Sequence, residues 1–195
     1  MSEPLTALVP QIRQCQVCAR YLPHAPRPVL QVSSTARLCI AGQAPGARVH
    51  ISGKPFTDPS GNRLRRWMGV DEETFYDNAR IAIVPMGFCF PGLNEKGGDL
   101  PPRKECAETW HARIFKALSQ VETVLLVGAY AQKWHLGARV KDTLTKTVAA
   151  SAEYSPDFLP LPHPSWRNNA WLKKNPWFEN DVLPVLRDRV AELVL

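Results

Sequence analysis

No stretch of this sequence is long and apolar enough for a membrane-spanning helix, which takes about 20 such residues. There is no internal repeat and no low-complexity tract, so a repeat architecture is not expected. The opening residues, MSEPLTALVP, carry neither the basic cluster nor the apolar core of a secretory leader. We therefore expect a cytoplasmic protein with no membrane partner, in which free or metal-bound thiols outnumber disulfides. Acidic residues are the minority, 18 against 24 Lys and Arg, for a net charge of +6. That excess suits a nucleic-acid partner, although many solvated surfaces reach it without one.

The 195 residues suffice for one domain with a good core, and we assign 1–195 to it. The 18 prolines fall between periodic segments and read as loop punctuation. Short apolar runs at 37–41, 80–84, 121–127 and 158–161 read as strands. Helical patterns lie at 4–14, 60–68, 72–76, 103–118, 130–136 and 181–195. Such alternation predicts an α/β fold: a three-layer sandwich around a mostly parallel four-stranded sheet. The stretch 85–102, with four glycines, reads as a long functional loop, and 166–176 as a basic aromatic loop.

Three strand ends carry chemistry. The first runs into Gly42-Gln43-Ala44-Pro45-Gly46, followed by a polar loop with Ser52-Gly53-Lys54-Pro55-Phe56 and then Asp58-Pro59-Ser60-Gly61. The second runs into Pro85-Met86-Gly87-Phe88, and the fourth into Pro162-His163-Pro164-Ser165. In a parallel sheet these ends share one edge, where open α/β folds place their ligands. Gln43 offers an amide, Phe56 a flat apolar face, Asp58 a carboxylate and His163 a ring able to donate to an oxygen. Asp58 also reads as the cap of a helix, and His163 as a packing residue. Past the fourth strand, Trp166, Arg167, Asn168, Asn169, Trp171, Lys173 and Lys174 mix aromatic and basic groups, a composition suited to contacting or wedging a nucleic-acid strand.

The cysteines form a second set. Cys15 and Cys18 make a C-x2-C pair, Cys89 and Cys106 bracket the long loop, and Cys39 sits in a strand as a small hydrophobe. Four thiolates fit zinc or an iron–sulfur cluster, and residue type alone does not separate them.

Taken in order, these motifs resemble the uracil-DNA glycosylase superfamily, most closely its iron–sulfur family 4 branch with family 5-like features, over roughly residues 12–190. Gly42 to Gly46 is similar to the first family motif, Ser52 to Phe56 to the segment after it, and His163-Pro164-Ser165 to the second motif. Gly128-Ala129-Tyr130-Ala131 is similar to the segment after the third strand. The resemblance implies a 4Fe–4S cluster on Cys15, Cys18, Cys89 and Cys106. It implies a monofunctional, monomeric DNA repair glycosylase that flips out a damaged base, uracil first, and hydrolyses its N-glycosidic bond. Phe56 would stack on the base, Gly42, Ala44, Pro45, Gly46, Met86 and Gly87 would line its pocket, and Asp58, His163 and Gln43 would carry the step. Ser165, Trp166, Arg167, Asn168 and Lys173 would contact DNA. The sequence departs from the pattern at Ala44, where other branches have Asp or Asn, at Gln43, where family 4 often has Glu, and at Val84-Pro85-Met86, where an Asn usually reads the uracil edge. Backbone groups of 86–88 are the expected substitute. The alternative is a binding module of the same fold that holds DNA or a modified base without cutting it. A third is a small-molecule binder that reuses the pocket.

Overall fold

A computed structural model describes residues 3–195; Met1 and Ser2, the start of the segment read for a leader, lie outside it. Four strands, β1 (Leu38–Ala41), β2 (Ile81–Ile83), β3 (Thr123–Val127) and β4 (Phe158–Leu161), form one sheet in the order β2-β1-β3-β4. All three pairings are parallel, with Ile40 opposite Ile83 and Leu125, and Leu126 opposite Pro160. Each strand is too short and too apolar to be stable alone. Each is buried on both faces, and the side-chain alternation splits the core in two.

One face takes Leu38, Ile40, Leu125, Val127, Leu159 and Leu161. It is covered by α3 (Pro59–Met68), α4 (Glu72–Tyr76), α7 (Leu144–Ala149) and α9 (Leu183–Val194). The other takes Cys39, Ala41, Ala82, Val124 and Leu126, beneath α1 (Leu5–Arg13), α5 (Lys104–Ala117) and α6 (Ala129–Leu136). The result is the expected three-layer α/β/α sandwich. Cys39 is fully buried in the second layer and its thiol is pushed up by desolvation, as a small hydrophobe would be. Among the described residues no helix is long and apolar enough to cross a membrane.

Three segments differ from the pattern reading. The polar loop after β1 contains a short helix, α2 (Ala47–Ser52). A helix, α7, fills part of the stretch between α6 and β4. The basic aromatic loop is largely helical, a 3-10 turn at Trp166–Asn168 running into α8 (Asn169–Lys174). α2, α7 and α8 have six residues apiece. Helices this short show no full apolar stripe, and tertiary contacts rather than propensity hold them.

Candidate active site

The parallel sheet brings the carboxyl ends of β1, β2 and β4 to one edge. Gly42, Gln43, Ala44 and Pro45 from β1, Ile83 and Pro85 from β2, and His163 from β4 surround one pocket, closed on its outer side by Phe56. Three of the expected sources therefore do meet. The β1–β2 ladder runs beyond the strands themselves: Val84 N–H donates to the Ile40 carbonyl at 2.9 Å, Met86 N–H to Gly42 at 2.9 Å and Gly87 N–H to Gln43 at 3.0 Å. Phe88 N–H donates to Cys106 Sγ at 3.3 Å.

This continuation moves two expected base contacts away from the pocket. Met86 is buried in the second core layer, and Gly87 borders a cavity around the cysteines. With the amides of 86, 87 and 88 all spent, they have no donor left for a base edge. Among the residues around the pocket, the polar side chains are Gln43 and His163.

Phe56 is placed by backbone rather than by packing alone. Its φ is 55°, a left-handed conformation that costs a non-glycine residue on the order of 1–3 kcal/mol. The ring lies against Gly42, where an added Cβ would come within 3.3 Å of Phe56 Cζ. It meets the buried Phe75 edge to face, with centroids 6.0 Å apart. Tyr76 Oη donates to the neighbouring Pro55 carbonyl at 2.8 Å, so α4 pins the loop from outside.

His163 stands on β3 and β4. Its Cβ packs over Gly128, the glycine after β3, and Asn168 Nδ2 donates to its carbonyl at 2.7 Å. Ser165 N–H donates to His163 Nδ1 at 3.2 Å. An accepting Nδ1 leaves the proton of the neutral ring on Nε2. Burial holds the pKa of this histidine below its ordinary value, against an opposing pull from Asp58 and Asp99. At neutral pH it is a neutral ring with one oriented N–H.

The pocket opens onto a cleft of about 520 Å³. Asp58 lies in its wall at the N-cap of α3, yet its side chain caps no helical N–H. Both carboxylate oxygens instead accept from Ser60 Oγ at 2.8 Å. Across the cleft, Asp99 reaches in from the long loop. Arg48, Arg63, Arg66 and Arg167 give the walls their positive charge. Arg63 holds the far rim, donating to the Ser165 carbonyl at 3.1 Å and to Asn169 Oδ1 at 2.8 Å. Trp166 projects from the rim, 70% exposed, and Ser165 Oγ accepts from Arg167 N–H at 3.3 Å. Ser165 and Arg167 line the cleft, and Asn168 borders its neighbouring arm. Lys173 is exposed on α8 and is not among the cleft residues.

Sequence reasoning missed Asp99, Arg48, Arg63 and Arg66. The arginines of α3 were visible in hindsight, since Leu64 and Trp67 must face the core and leave 63 and 66 on another side. Asp99 had no such signal beyond its place in a long loop.

Behind the pocket, Cys15, Cys18, Cys89 and Cys106 border one cavity, with none of them in a disulfide. Two sulfurs already accept N–H donors, Cys106 from Phe88 and Cys15 from Trp110 Nε1 at 3.3 Å. Leu22, Pro26, Pro28 and Phe88 make the rest of the wall largely apolar. Among the described residues no three His, Cys, Asp or Glu side chains converge on a point where one ion could sit. Four thiols bordering one largely apolar cavity are a donor set that suits either zinc or an iron–sulfur cluster.

Residues 30–187 match the family model described as the Uracil DNA glycosylase superfamily. A solution NMR structure from Methanosarcina acetivorans, described as a candidate uracil DNA glycosylase, is similar with a TM-score of 0.47 at 12% sequence identity, covering 81% of this chain and 93% of that one.

Proposed function

The chain belongs to the uracil DNA glycosylase superfamily, and from that premise we propose that it is a monofunctional DNA repair glycosylase. It takes a damaged base, uracil first among the candidates, out of the DNA stack and hydrolyses its N-glycosidic bond. The observation that carries this reading is the oriented Nε2–H of His163 at a pocket floored by Gly42 and walled by Phe56. Extruding a base costs a few kcal/mol, which is offset by stacking in a fitted pocket. Phe56 supplies that face. The departing base takes up negative charge on its oxygens and ring nitrogen, and a fixed neutral donor stabilises that charge without reorganising. The Gln43 amide, donor and acceptor at once, stands in for the missing asparagine in reading the base edge. Asp58 sits on the sugar side, where its carboxylate, fixed by Ser60, offsets the positive charge on the sugar and polarises the attacking water. Trp166 is the side chain exposed enough to fill the vacated stack, and the arginines of the cleft hold phosphates.

Within the superfamily we place the chain nearest the iron–sulfur family 4 branch, with Cys15, Cys18, Cys89 and Cys106 holding a 4Fe–4S cluster. Such a cluster would tie α1, the long loop and α5 together, close to the strand-end loop, and has no part in the bond cleavage. The purified protein should be brown with broad visible absorbance. Cys89→Ala should bleach it and lower the melting temperature by several degrees. A colourless wild-type protein carrying one zinc per chain would refute the cluster assignment.

A second reading has specific support: Ala44 places no carboxylate or amide at the first motif, and the amides of Met86 and Gly87 are committed elsewhere. On that reading the protein holds extruded bases without cutting. Incubation with uracil-, hypoxanthine- and xanthine-containing oligonucleotides separates the two. Free base in solution supports the glycosylase; salt-sensitive binding with no release from any of the three favours the binding module.

A further inference from the structure

The long loop, read from sequence only as functional, delivers a second carboxylate to the cleft. An antiparallel bridge pairs Leu93 with Asp99, and Asn94 N–H donates to the Gly98 carbonyl at 2.7 Å, folding 93–99 into a tight excursion. Arg167 Nη2 then donates to the Gly97 carbonyl at 3.2 Å and ties that excursion to the rim after β4. Asp99 is left with its carboxylate over Gly46, where an added Cβ would stand 3.6 Å from Oδ2. It borders the cleft that Asp58 and His163 also border.

The two carboxylates differ in what they are bonded to. Both oxygens of Asp58 accept from Ser60. The Asp99 carboxylate has no hydrogen-bond or ion-pair partner among the described residues. A carboxylate already bound to a donor is a poorer proton acceptor than one with free lone pairs. Hydrolysis through a cationic sugar commonly divides labour between two carboxylates.

Resting on the glycosylase reading above, we propose that Asp99 is a further catalytic residue, the general base that accepts the proton of the attacking water. The water oxygen bonds to C1′ as the C1′–N bond breaks. The bonding pair leaves with the base, whose charge His163 Nε2–H holds. The water proton passes to Asp99 and from there to solvent, and the anionic base takes up a proton from solvent. Asp58 keeps its place beside the sugar throughout, held by Ser60.

The surroundings of Asp99 agree. Asp99 lies at the exposed edge of the cleft; partial desolvation of its carboxylate raises its pKa, Arg167 and His163 pull it down, and nearby Asp58 raises it. Arg48, Arg63 and Arg66 on the cleft walls and Lys96 on the neighbouring arm are the other charges around it.

The test is single-turnover base release by the full-length protein against pH, for wild type, D99N and D58N, with DNA affinity and melting temperature measured alongside. The expected result is a loss of about 10²–10³ in rate for D99N, in the range of general-base removal. DNA affinity should stay within twofold and the melting temperature unchanged. The acid limb of the profile, where rate falls as Asp99 is protonated, should vanish in D99N and persist in the slower D58N. An active wild type with D99N equally fast would overturn the assignment and leave the glycosylase reading standing. So would a D99N rate loss matched by a lower melting temperature, which would make Asp99 a support for the start of α2. A wild type inert on every base would remove both.

Discussion

Gly61→Ala is expected to be among the most damaging single substitutions in this protein, although it adds one methyl group in the first turn of a helix. By propensity alone the change should help α3 by roughly 1 kcal/mol. The fold reverses the sign. An added Cβ at 61 would stand 1.8 Å from the Phe56 carbonyl oxygen and 2.7 Å from its carbonyl carbon. Both are backbone atoms, so no rotamer change relieves the overlap. Either α3 moves off the core it shares with α9, through Leu64, Trp67 and Met68, or the strained turn at Phe56 gives way. Overpacking of this kind costs about 1–3 kcal/mol or more. The Phe56 turn, being strained already, is the softer of the two, so function should suffer more than stability. We expect Gly61→Ala to melt several degrees lower and to lose base release by at least tenfold. A variant melting and reacting like wild type would show that the contact between α3 and the Phe56 turn is looser than described.

The second large effect is acid sensitivity, and it arises away from the active site. His111 of α5 is 1% exposed. Its Nε2 donates to the Pro85 carbonyl at 3.0 Å, and its Nδ1 has no partner among the described residues. His135 lies with its ring centroid 6.0 Å away, and its Nε2 is likewise unpartnered and buried. Desolvation lowers both pKa values to about 4. In the unfolded chain each titrates near its ordinary value of about 6.5. Above that value both states are neutral and the fold keeps its full stability. As pH falls from about 6.5 toward 4, the unfolded chain binds protons that the native one does not, and stability is lost. For His111 alone the loss amounts to roughly 3 kcal/mol. Denaturant midpoints measured from pH 7.5 to 4.5 should therefore fall steeply below pH 6.5. His135→Phe should flatten the curve and raise the midpoint at pH 7, because it removes a buried polar atom without a partner. A flat profile for wild type across this range would contradict the assignment of both histidines as neutral in the fold.

The strands were legible because their apolar runs end at glycine or proline, and their parallel order followed from the helices between them. That order is also what made three distant sequence segments readable as one site. Short elements were illegible for a local reason. α2, with Val49 and Ile51 β-branched and His50 between them, carries no helical stripe, and it forms where Gly46 and Gly53 start and stop it. Met86 and Gly87 were misplaced because nothing in their side chains announces that the β1–β2 ladder continues past its apolar residues. Asp99 was invisible for the opposite reason. Its position depends on one bridge and one Arg167 contact 70 residues from the carbonyl it holds. The role of Ser165 was only half legible. The motif suggested a DNA contact, while its backbone N–H sets the tautomer of the histidine beside it.

The central claim is that a neutral His163 with its proton on Nε2 stabilises a departing base. Its most direct measurement is release of free base from uracil-containing single- and double-stranded DNA at neutral pH, wild type against His163→Ala. The account predicts release by wild type and a loss of about 10²–10³ in the variant, the usual cost of removing one fixed donor from developing charge. It also predicts DNA binding retained in the variant. Equal release by both proteins would contradict it.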